Sequence, residues 1–187
     1  MLLLHVCCAD CGLKLMESIK NQLKIEDKQI LIYFYNPNIH PRSEWLSRQA
    51  AVKKILGKYK IVIGDWEPKK YFGMIAKVSE TNNINKNTWP QKEIRCSGCW
   101  QLRLEETFKK AKELEIEMVS TSLFASAYQN FGKITEIGLC LSQEYQVKFW
   151  GPGEINRSKK TSGFYKQNYC GCSYSLVERM EDKYIDR

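Results

Sequence analysis

The chain has 187 residues, and 43% of them are apolar, which is sufficient for a folded domain with its own core. No apolar run approaches the roughly 20 residues that a membrane-spanning helix needs, and no basic residue precedes the short apolar start, which argues against a secretory signal. The net charge of +8 points to a polyanionic partner. We therefore expect a single soluble, cytoplasmic domain over residues 1–187, without membrane contact.

Strand-like and helical patterns alternate along the chain. Short apolar runs predict strands, and helical patterns follow them. Strands that are separated by single helices favour a mainly parallel sheet with flanking helices, so the predicted fold class is α/β. The predicted elements are strand 2–6, helix 12–23, strand 30–35, helix 44–58 with Ser43 as N-cap, strand 61–63, helix 70–79, polar loop 81–91, helix 98–115, strand 117–122, helix 133–145, strand 146–150, and a C-terminal region 151–187 packed on the domain as a basic loop, a Cys-Gly-Cys motif and a closing helix 172–180.

Residues suited to chemistry follow the first two predicted strands. The turn after the first strand contains Cys7, Cys8, Asp10 and Cys11, and residues 36–41 follow the second strand. Parallel sheets bind their ligands at the carboxyl ends of the strands, so these residues should lie near one another. Neither G-x-G-x-x-G nor G-x-x-x-x-G-K-[ST] occurs in the chain, so nucleotide hydrolysis is not predicted.

Seven of the eight cysteines fall in three groups, which in a chain without an export signal indicates metal or redox chemistry. Cys7, Cys8 and Cys11, and likewise Cys96 and Cys99, are predicted at helix N-termini, where N–H groups and the helix dipole stabilise thiolates. Two thiolates from each group would form a four-sulfur site for zinc or for an iron–sulfur cluster. The wide separation of the groups and the adjacent cysteines favour iron–sulfur.

The third group is Cys170-Gly171-Cys172. Two cysteines one residue apart can form a strained, easily reduced disulfide, and the glycine permits the backbone distortion. Alternatively, both cysteines are additional cluster ligands. Cys140 stands alone within a helical pattern and is predicted to be a small buried apolar residue.

Residues 155–177 carry basic and aromatic side chains and no acidic residue. Basic side chains pair with phosphates, and aromatic rings stack on unpaired bases. The alternative is a solvated charged face with aromatic residues in the core, but the stretch leads directly into Cys170, which favours nucleic-acid binding. The residues concerned are Arg157, Lys159, Lys160, Lys166, Phe164, Tyr165, Tyr169 and Tyr174.

A set of motifs runs through almost the whole chain: LHVCCADC at 4–11, YFYNPNIHP at 33–41, RCSGCW at 95–100 with Arg103 and Leu104, SAYQ at 126–129 and YKQNYCGC at 165–172. Together they resemble the QueH-type, cobalamin-independent epoxyqueuosine reductases of tRNA queuosine synthesis. The resemblance implies an α/β, HUP-like (Rossmann-like) fold and an oxidoreductase that removes the epoxide oxygen of epoxyqueuosine, at the tRNA wobble position, as water. It also implies a [4Fe–4S] cluster with a second mononuclear metal, iron, beside it, and no cobalamin.

Carried onto this sequence, the resemblance assigns the site residues. The implied cluster ligands are Cys7, Cys8, Cys96 and Cys99, with Cys11 as an alternative to Cys7 or Cys8. Asp10 and Cys11 would hold the second metal, although we expect Ala-Pro in many relatives where Ala9-Asp10 stands here. The implied catalytic residues are Asp10 and the Cys170–Cys172 dithiol/disulfide pair, with His40 and Tyr128 as candidate proton donors. The residues expected to bind tRNA are Arg157, Lys159, Lys160, Tyr165 and Lys166; the electron donor is not identified.

Three other interpretations compete with this one. A zinc-stabilised RNA-binding module without redox activity predicts zinc, and RNA binding without turnover. An ATP-dependent tRNA-thiolating enzyme needs a phosphate-binding loop after the first strand, where residues 7–12 stand instead. A thiol oxidoreductase acting on protein disulfides would not need the basic stretch.

Overall fold

The computed structural model describes residues 1–85, 88–156 and 163–184. In these ranges, strands and helices alternate as the sequence predicts. The elements are β1 (Leu2–His5), α1 (Ala9–Leu23), β2 (Ile30–Phe34), α2 (Arg42–Ile55), β3 (Lys60–Ile63), α3 (Pro68–Thr81), α4 (Lys92–Glu113), β4 (Met118–Thr121), α5 (Phe131–Tyr145), β5 (Lys148–Phe149) and α6 (Ser173–Tyr184), with 3₁₀ turns at Asp27–Gln29 and Ser122–Ala125.

The five strands form one parallel sheet in the order β3-β2-β1-β4-β5. This confirms the predicted α/β class with a Rossmann-like topology. β1 lies in the middle and pairs with both β2 and β4. The chain adds β2 and β3 on one side of β1 and then β4 and β5 on the other side, while all strands remain parallel. Open parallel sheets bind ligands at such a switch point, outside the carboxyl ends of the strands.

The core surrounds the two central strands. Every residue of β1 and β2 is buried, as expected for strands that are covered on both faces. α1 packs against α2, while α4 packs against both α3 and α5, which gives the two helical layers of a doubly wound sheet. Among the described residues, no helix combines the length and the apolar character needed to cross a membrane.

The first helix begins at Ala9 rather than at Gly12, and the predicted starts of two further helices are also wrong. Ser43 is not an N-cap, because α2 already begins at Arg42 and Pro41 occupies the cap position. α4 begins at Lys92 rather than at Gly98. Gly98 is instead a packing position, since a Cβ there would collide with the sulfur of Met74 on α3.

Cys140 is exposed, so the prediction of a buried apolar residue is wrong. It lies on the outer face of α5, next to the half-exposed Leu139. The buried face of this helix is formed by Ile134, Ile137 and Leu141.

Candidate active site

Cys7, Cys8 and Cys11, here called the N-terminal triad, lie between the end of β1 and the first turn of α1. Cys8 is the N-cap of α1, and its Sγ accepts a hydrogen bond from the Cys11 backbone N–H over 3.4 Å. The backbone N–H of Cys7 donates to Ser122 Oγ over 2.9 Å, and the Ser122 hydroxyl donates to Cys7 Sγ over 3.3 Å. The predicted position at a helix N-terminus is confirmed.

The three sulfur atoms of the N-terminal triad lie within 4.8 Å of one another. Hydrogen bonding with the Cys11 and Cys8 thiols holds the pKa of Cys7 well below its ordinary value. The hydrogen bond to Cys7 conversely raises the pKa of Cys11. The thiols therefore concentrate negative charge on Cys7, and a bound cation would let more than one of them ionise.

Two buried arginines face the N-terminal triad. Arg103 of α4 is 3% exposed, and its charge helps to lower the pKa of Cys7. Its Nη2 donates to Asn36 Oδ1 over 2.6 Å, whereas its Nε has no hydrogen-bond partner among the described residues. Arg48 of α2 lines the same space. Soft thiolate donors, backed by guanidinium groups that balance negative charge, fit a soft metal or an iron–sulfur cluster.

Asp10 is in the first turn of α1 and forms ion pairs with two lysines. Its carboxylate lies 3.0 Å from Lys14 Nζ and 3.8 Å from Lys166 Nζ. The predicted role of Asp10 at a second metal site stays a prediction.

Cys96 and Cys99 lie inside α4 rather than at its N-terminus, because α4 begins at Lys92. The predicted stabilisation of their thiolates by free N–H groups is therefore wrong. Burial raises the pKa of Cys99 to about 12 and also raises the pKa of Cys96. Neither sulfur belongs to the close group formed by the N-terminal triad. A four-iron cluster binds each cysteine through a different iron and spreads its ligands further apart than a single ion does, so their role as cluster ligands stays a prediction.

Cys170 and Cys172, here called the C-terminal pair, stand just before α6 with their sulfur atoms 3.5 Å apart. Cys172 Sγ accepts a hydrogen bond from the backbone N–H of Ser175 over 3.3 Å, and its thiol donates to Ser175 Oγ over the same distance. The thiol of Cys170, together with Ser175 and the hydroxyl of Tyr71, outweighs the effect of burial and lowers the pKa of Cys172 to about 5. The same contact raises the pKa of Cys170.

Arg48 holds the backbone of the C-terminal pair. Its Nη1 donates to the carbonyl of Cys170 over 3.0 Å, and its Nη2 donates to the carbonyl of Tyr169 over 3.2 Å. Its Nε donates to Glu44 Oε1 over 2.5 Å, and the other carboxylate oxygen of Glu44 accepts from the Tyr165 hydroxyl. This buried ion pair on α2 fixes the segment that leads into the cysteines.

A cavity of about 300 Å³, here called the active-site cavity, joins these parts. It is bordered by the whole N-terminal triad, by Asp10 and by Cys170 of the C-terminal pair. It opens at the carboxyl ends of β1 and β4, where the topology of the sheet predicts a ligand site.

The predicted RNA-binding residues divide into two sets. Tyr165 and Lys166 border the active-site cavity. Arg157, Lys159 and Lys160 lie outside the described residues.

Of the two candidate proton donors, only Tyr128 borders this cavity, as far as the described residues define it. Its hydroxyl donates to the carbonyl of Asn168. His40 bonds the carbonyl of Asn38 and packs on Phe72 and Trp66.

Comparison with known proteins places this geometry in a family. A sequence model described as "Epoxyqueuosine reductase QueH" matches residues 2–178. Proteins named epoxyqueuosine reductase QueH from Thermotoga maritima and Acinetobacter baylyi are 32% and 33% identical to this chain. The alignments cover 96% and 94% of this chain, and 92% and 80% of the respective relative.

The chain belongs to the QueH family.

Membership in the QueH family confirms the resemblance that the sequence motifs indicate. It also confirms the expectation of an oxidoreductase, since the family name denotes a reductase. The motif at 4–11 supplies the N-terminal triad, and the motifs at 126–129 and 165–172 supply other walls of the active-site cavity.

The sequence patterns predict no role for Glu44, Arg48 or Arg103. Arg103 lies in a motif that carries the QueH resemblance, but the motif alone gives this residue no function. Glu44 and Arg48 are four residues apart on a face of α2 that also buries Val52. A charged i,i+4 pair in phase with apolar core positions is the signal that could have revealed them.

Proposed function

We propose that this protein is an epoxyqueuosine reductase that acts on the wobble nucleotide of tRNA. Loss of the epoxide oxygen as water consumes two electrons and two protons and leaves the alkene of queuosine. The observation that carries this proposal is one cavity bordered by both the N-terminal triad and Cys170 of the C-terminal pair, in a member of the QueH family.

The proposed metal ligands follow the donor types present. We assign Cys7, Cys8, Cys96 and Cys99 to a [4Fe–4S] cluster. When bound, the cluster would supply low-potential electrons, and an adjacent iron held by Asp10 and Cys11 would supply a Lewis acid for the epoxide oxygen. The mutual proximity of the three sulfurs of the N-terminal triad and the two buried arginines support metal binding there. Cobalamin is not required in this scheme.

The chain's own residues would exclude water, supply reducing equivalents and deliver a proton. Cys170 and Cys172 would give up two electrons and two protons as they form a disulfide. Tyr128 is the proton donor that we favour over His40, because Tyr128 borders the active-site cavity. Arg48 and Arg103 would hold the negative charge of the thiolates in place.

The RNA would present the modified base by taking it out of its stack. Tyr165 and Lys166 stand at the rim of the active-site cavity, where an aromatic ring can stack on a splayed base and an ammonium group can meet a phosphate. Arg157, Lys159 and Lys160 precede them in the chain and would bind the phosphates of the anticodon arm.

The decisive experiment combines metal analysis with turnover. Protein purified without oxygen is analysed for iron, zinc and acid-labile sulfide, and is then incubated with tRNA that contains epoxyqueuosine and a chemical reductant. We expect about four sulfides and about five irons per chain, together with conversion to queuosine on mass-spectrometric analysis of the nucleosides. One zinc without sulfide, together with RNA binding but no conversion, would instead establish the zinc-stabilised RNA-binding module.

A further inference from the structure

A second cavity lies against the C-terminal pair on the α6 side. This cavity, here called the α6 cavity, has a volume of about 220 Å³ and is bordered by residues of α4 and α6. Cys170 borders both this cavity and the active-site cavity. Cys172 and Ser175 border the α6 cavity alone, as far as the described residues define the two spaces.

The two sulfur atoms of the pair differ in access and in hydrogen bonding. Cys172 is 5% exposed and packs against Tyr71 and Cys99 in a small apolar cluster. Its sulfur accepts a hydrogen bond from the backbone N–H of Ser175 in the first turn of α6 and also lies 3.3 Å from Ser175 Oγ. Cys170 is only partly buried and borders cavity space on two sides. A sulfur that accepts a hydrogen bond at a helix N-terminus is a good leaving group, and the cysteine that is more open to a cavity is the better point of attack.

We propose that the α6 cavity is the site where an external dithiol reduces the Cys170–Cys172 disulfide, with Cys170 as the sulfur that is attacked. This inference rests on the proposed redox cycle of the C-terminal pair. It assigns the active-site cavity to the RNA nucleotide and the α6 cavity to the reductant, so that reduction does not require the nucleotide to leave.

The exchange balances as two substitutions at sulfur. A thiolate of the donor attacks Cys170 Sγ, the S–S bond breaks, and Cys172 departs with the electron pair of that bond. The second thiolate of the donor then attacks its own sulfur in the mixed disulfide and releases Cys170. The donor ends as a disulfide, the pair ends as a dithiol, and the two protons of the donor thiols pass to Cys170 and to Cys172 or solvent.

The rim of the α6 cavity carries charges of both signs, Lys92 and Arg179 against Glu178 and Asp182. The volume admits a small dithiol or a single cysteine side chain at the tip of a protein. Both sources share the same chemistry, a pair of thiols that becomes a disulfide. The test therefore uses dithiothreitol in one arm and a protein with a Cys-x-x-Cys dithiol in the other.

The first experiment narrows each cavity separately in metal-loaded, RNA-free protein whose C-terminal pair has been oxidised. Asp182→Trp narrows the α6 cavity, Asp182→Asn controls for the loss of charge, and Ala127→Trp narrows the active-site cavity. We expect Asp182→Trp to slow the return of the two thiols roughly tenfold, and the other two variants to stay within about twofold of the parent. If Asp182→Trp slows reduction by only one of the two reductants, dithiothreitol or the Cys-x-x-Cys protein, that reductant represents the class of dithiol that the cavity accepts. A larger effect of Ala127→Trp than of Asp182→Trp would overturn the proposal.

The second experiment identifies the attacked sulfur. A donor protein whose resolving cysteine has been removed, and whose remaining thiol is free, is mixed with the parent protein that carries the Cys170–Cys172 disulfide. The donor thiolate attacks one sulfur of the pair and stays linked to it, and the linked peptide is mapped by mass spectrometry. We expect at least roughly tenfold more of the mixed disulfide at Cys170 than at Cys172. Equal or greater linkage at Cys172 would contradict the assignment. Neither assay contains RNA, so a failure of epoxide reduction would leave both results unchanged.

Discussion

The two cysteine sites begin their helices in the same way and differ in what surrounds the sulfur. Cys8 Sγ accepts the N–H of Cys11 over 3.4 Å, and Cys172 Sγ accepts the N–H of Ser175 over 3.3 Å. Each cysteine thus places its sulfur on the backbone N–H three residues further along, as an N-cap side chain does. Two further thiols lie close to Cys8 Sγ, whereas the side chains that hydrogen-bond to Cys172 Sγ are one thiol, Cys170, and two hydroxyl groups.

This difference separates metal binding from thiol exchange. Three thiols within 4.8 Å crowd negative charge together when they ionise, and a cation relieves that repulsion. Two thiols with hydroxyl donors can carry one thiolate without any cation. A cysteine at a helix N-terminus therefore supports either metal binding or thiol exchange, and the side chains around its sulfur decide which.

The sharpest test of this comparison is one serine substitution at each site. Cys8→Ser keeps an N-cap residue on α1 but removes a soft ligand. We therefore expect the protein to lose iron, and its activity to fall by more than the roughly 10–100-fold seen when residues behind a metal ligand are lost. Cys172→Ser should keep its iron and lose turnover with thiol reductants. Iron and sulfide analysis beside a nucleoside assay provides the measurement.

Cys140→Ser is the matched control, because Cys140 is exposed on α5. It should retain both the iron and the turnover of the parent. Loss of iron from Cys172→Ser would falsify the division between the two sites.

The next largest effect is expected at Arg48, which connects the two sites. Arg48→Met leaves Glu44 as an unpaired charge with a 6% exposed side chain, and we expect a loss of about 3–5 kcal/mol in the free energy of unfolding. The double variant with Glu44→Leu should recover most of that loss, because no unpaired charge remains. Urea denaturation of both variants gives the free energies.

The control for Arg48 is the exposed i,i+4 pair of Lys109 and Glu105, whose charged atoms are 2.7 Å apart. Lys109→Met should cost no more than about 1 kcal/mol. If Lys109→Met and Arg48→Met lower the free energy of unfolding by similar amounts, burial does not make the Arg48 pair more important for stability.

A smaller effect is expected at Gly171, within the C-terminal pair. Its φ of +106° is unfavourable for other residues, and a Cβ there would come within 3.0 Å of the Arg48 guanidinium. Gly171→Ala should destabilise the protein by about 1–3 kcal/mol and slow disulfide exchange. Gly73→Ala on α3 is the control, since nothing lies within 4 Å of its Cβ, and it should stabilise by about 0.5–1 kcal/mol. Equal changes in the free energy of unfolding for Gly171→Ala and Gly73→Ala would show that the positive φ and the contact with Arg48 do not matter at Gly171.

The sequence predicts the strands of the sheet, and the position of the N-terminal triad at the end of a strand, because both depend on local patterns. Buried strands appear as apolar runs, and Cys8 lies where a strand gives way to a helix. The start of α4 could not be predicted in this way, because Gly98 is required by Met74, which is distant in sequence. The bond from Arg48 to Cys170 likewise joins residues 122 positions apart. Local periodicity carries no information about such contacts.

The smallest expected effect is at Ser175, and it tests whether hydroxyl donors stand in for a cation at the C-terminal pair. The pKa of Cys172 is lowered to about 5, so its thiolate is expected to form as the pH rises through that value. Ser175→Ala removes the hydroxyl that lowers this pKa but keeps the backbone N–H, and we expect the midpoint to rise by about one pH unit, equivalent to about 1.4 kcal/mol. The ultraviolet absorbance of the thiolate, measured against pH relative to Cys172→Ser, reports this midpoint, with Ser173→Ala in the same helical turn as control. An unchanged midpoint in Ser175→Ala would mean that the neighbouring thiol of Cys170 and the N-terminus of α6 hold the charge without the hydroxyl, and the two sites would then differ only in their number of sulfur atoms.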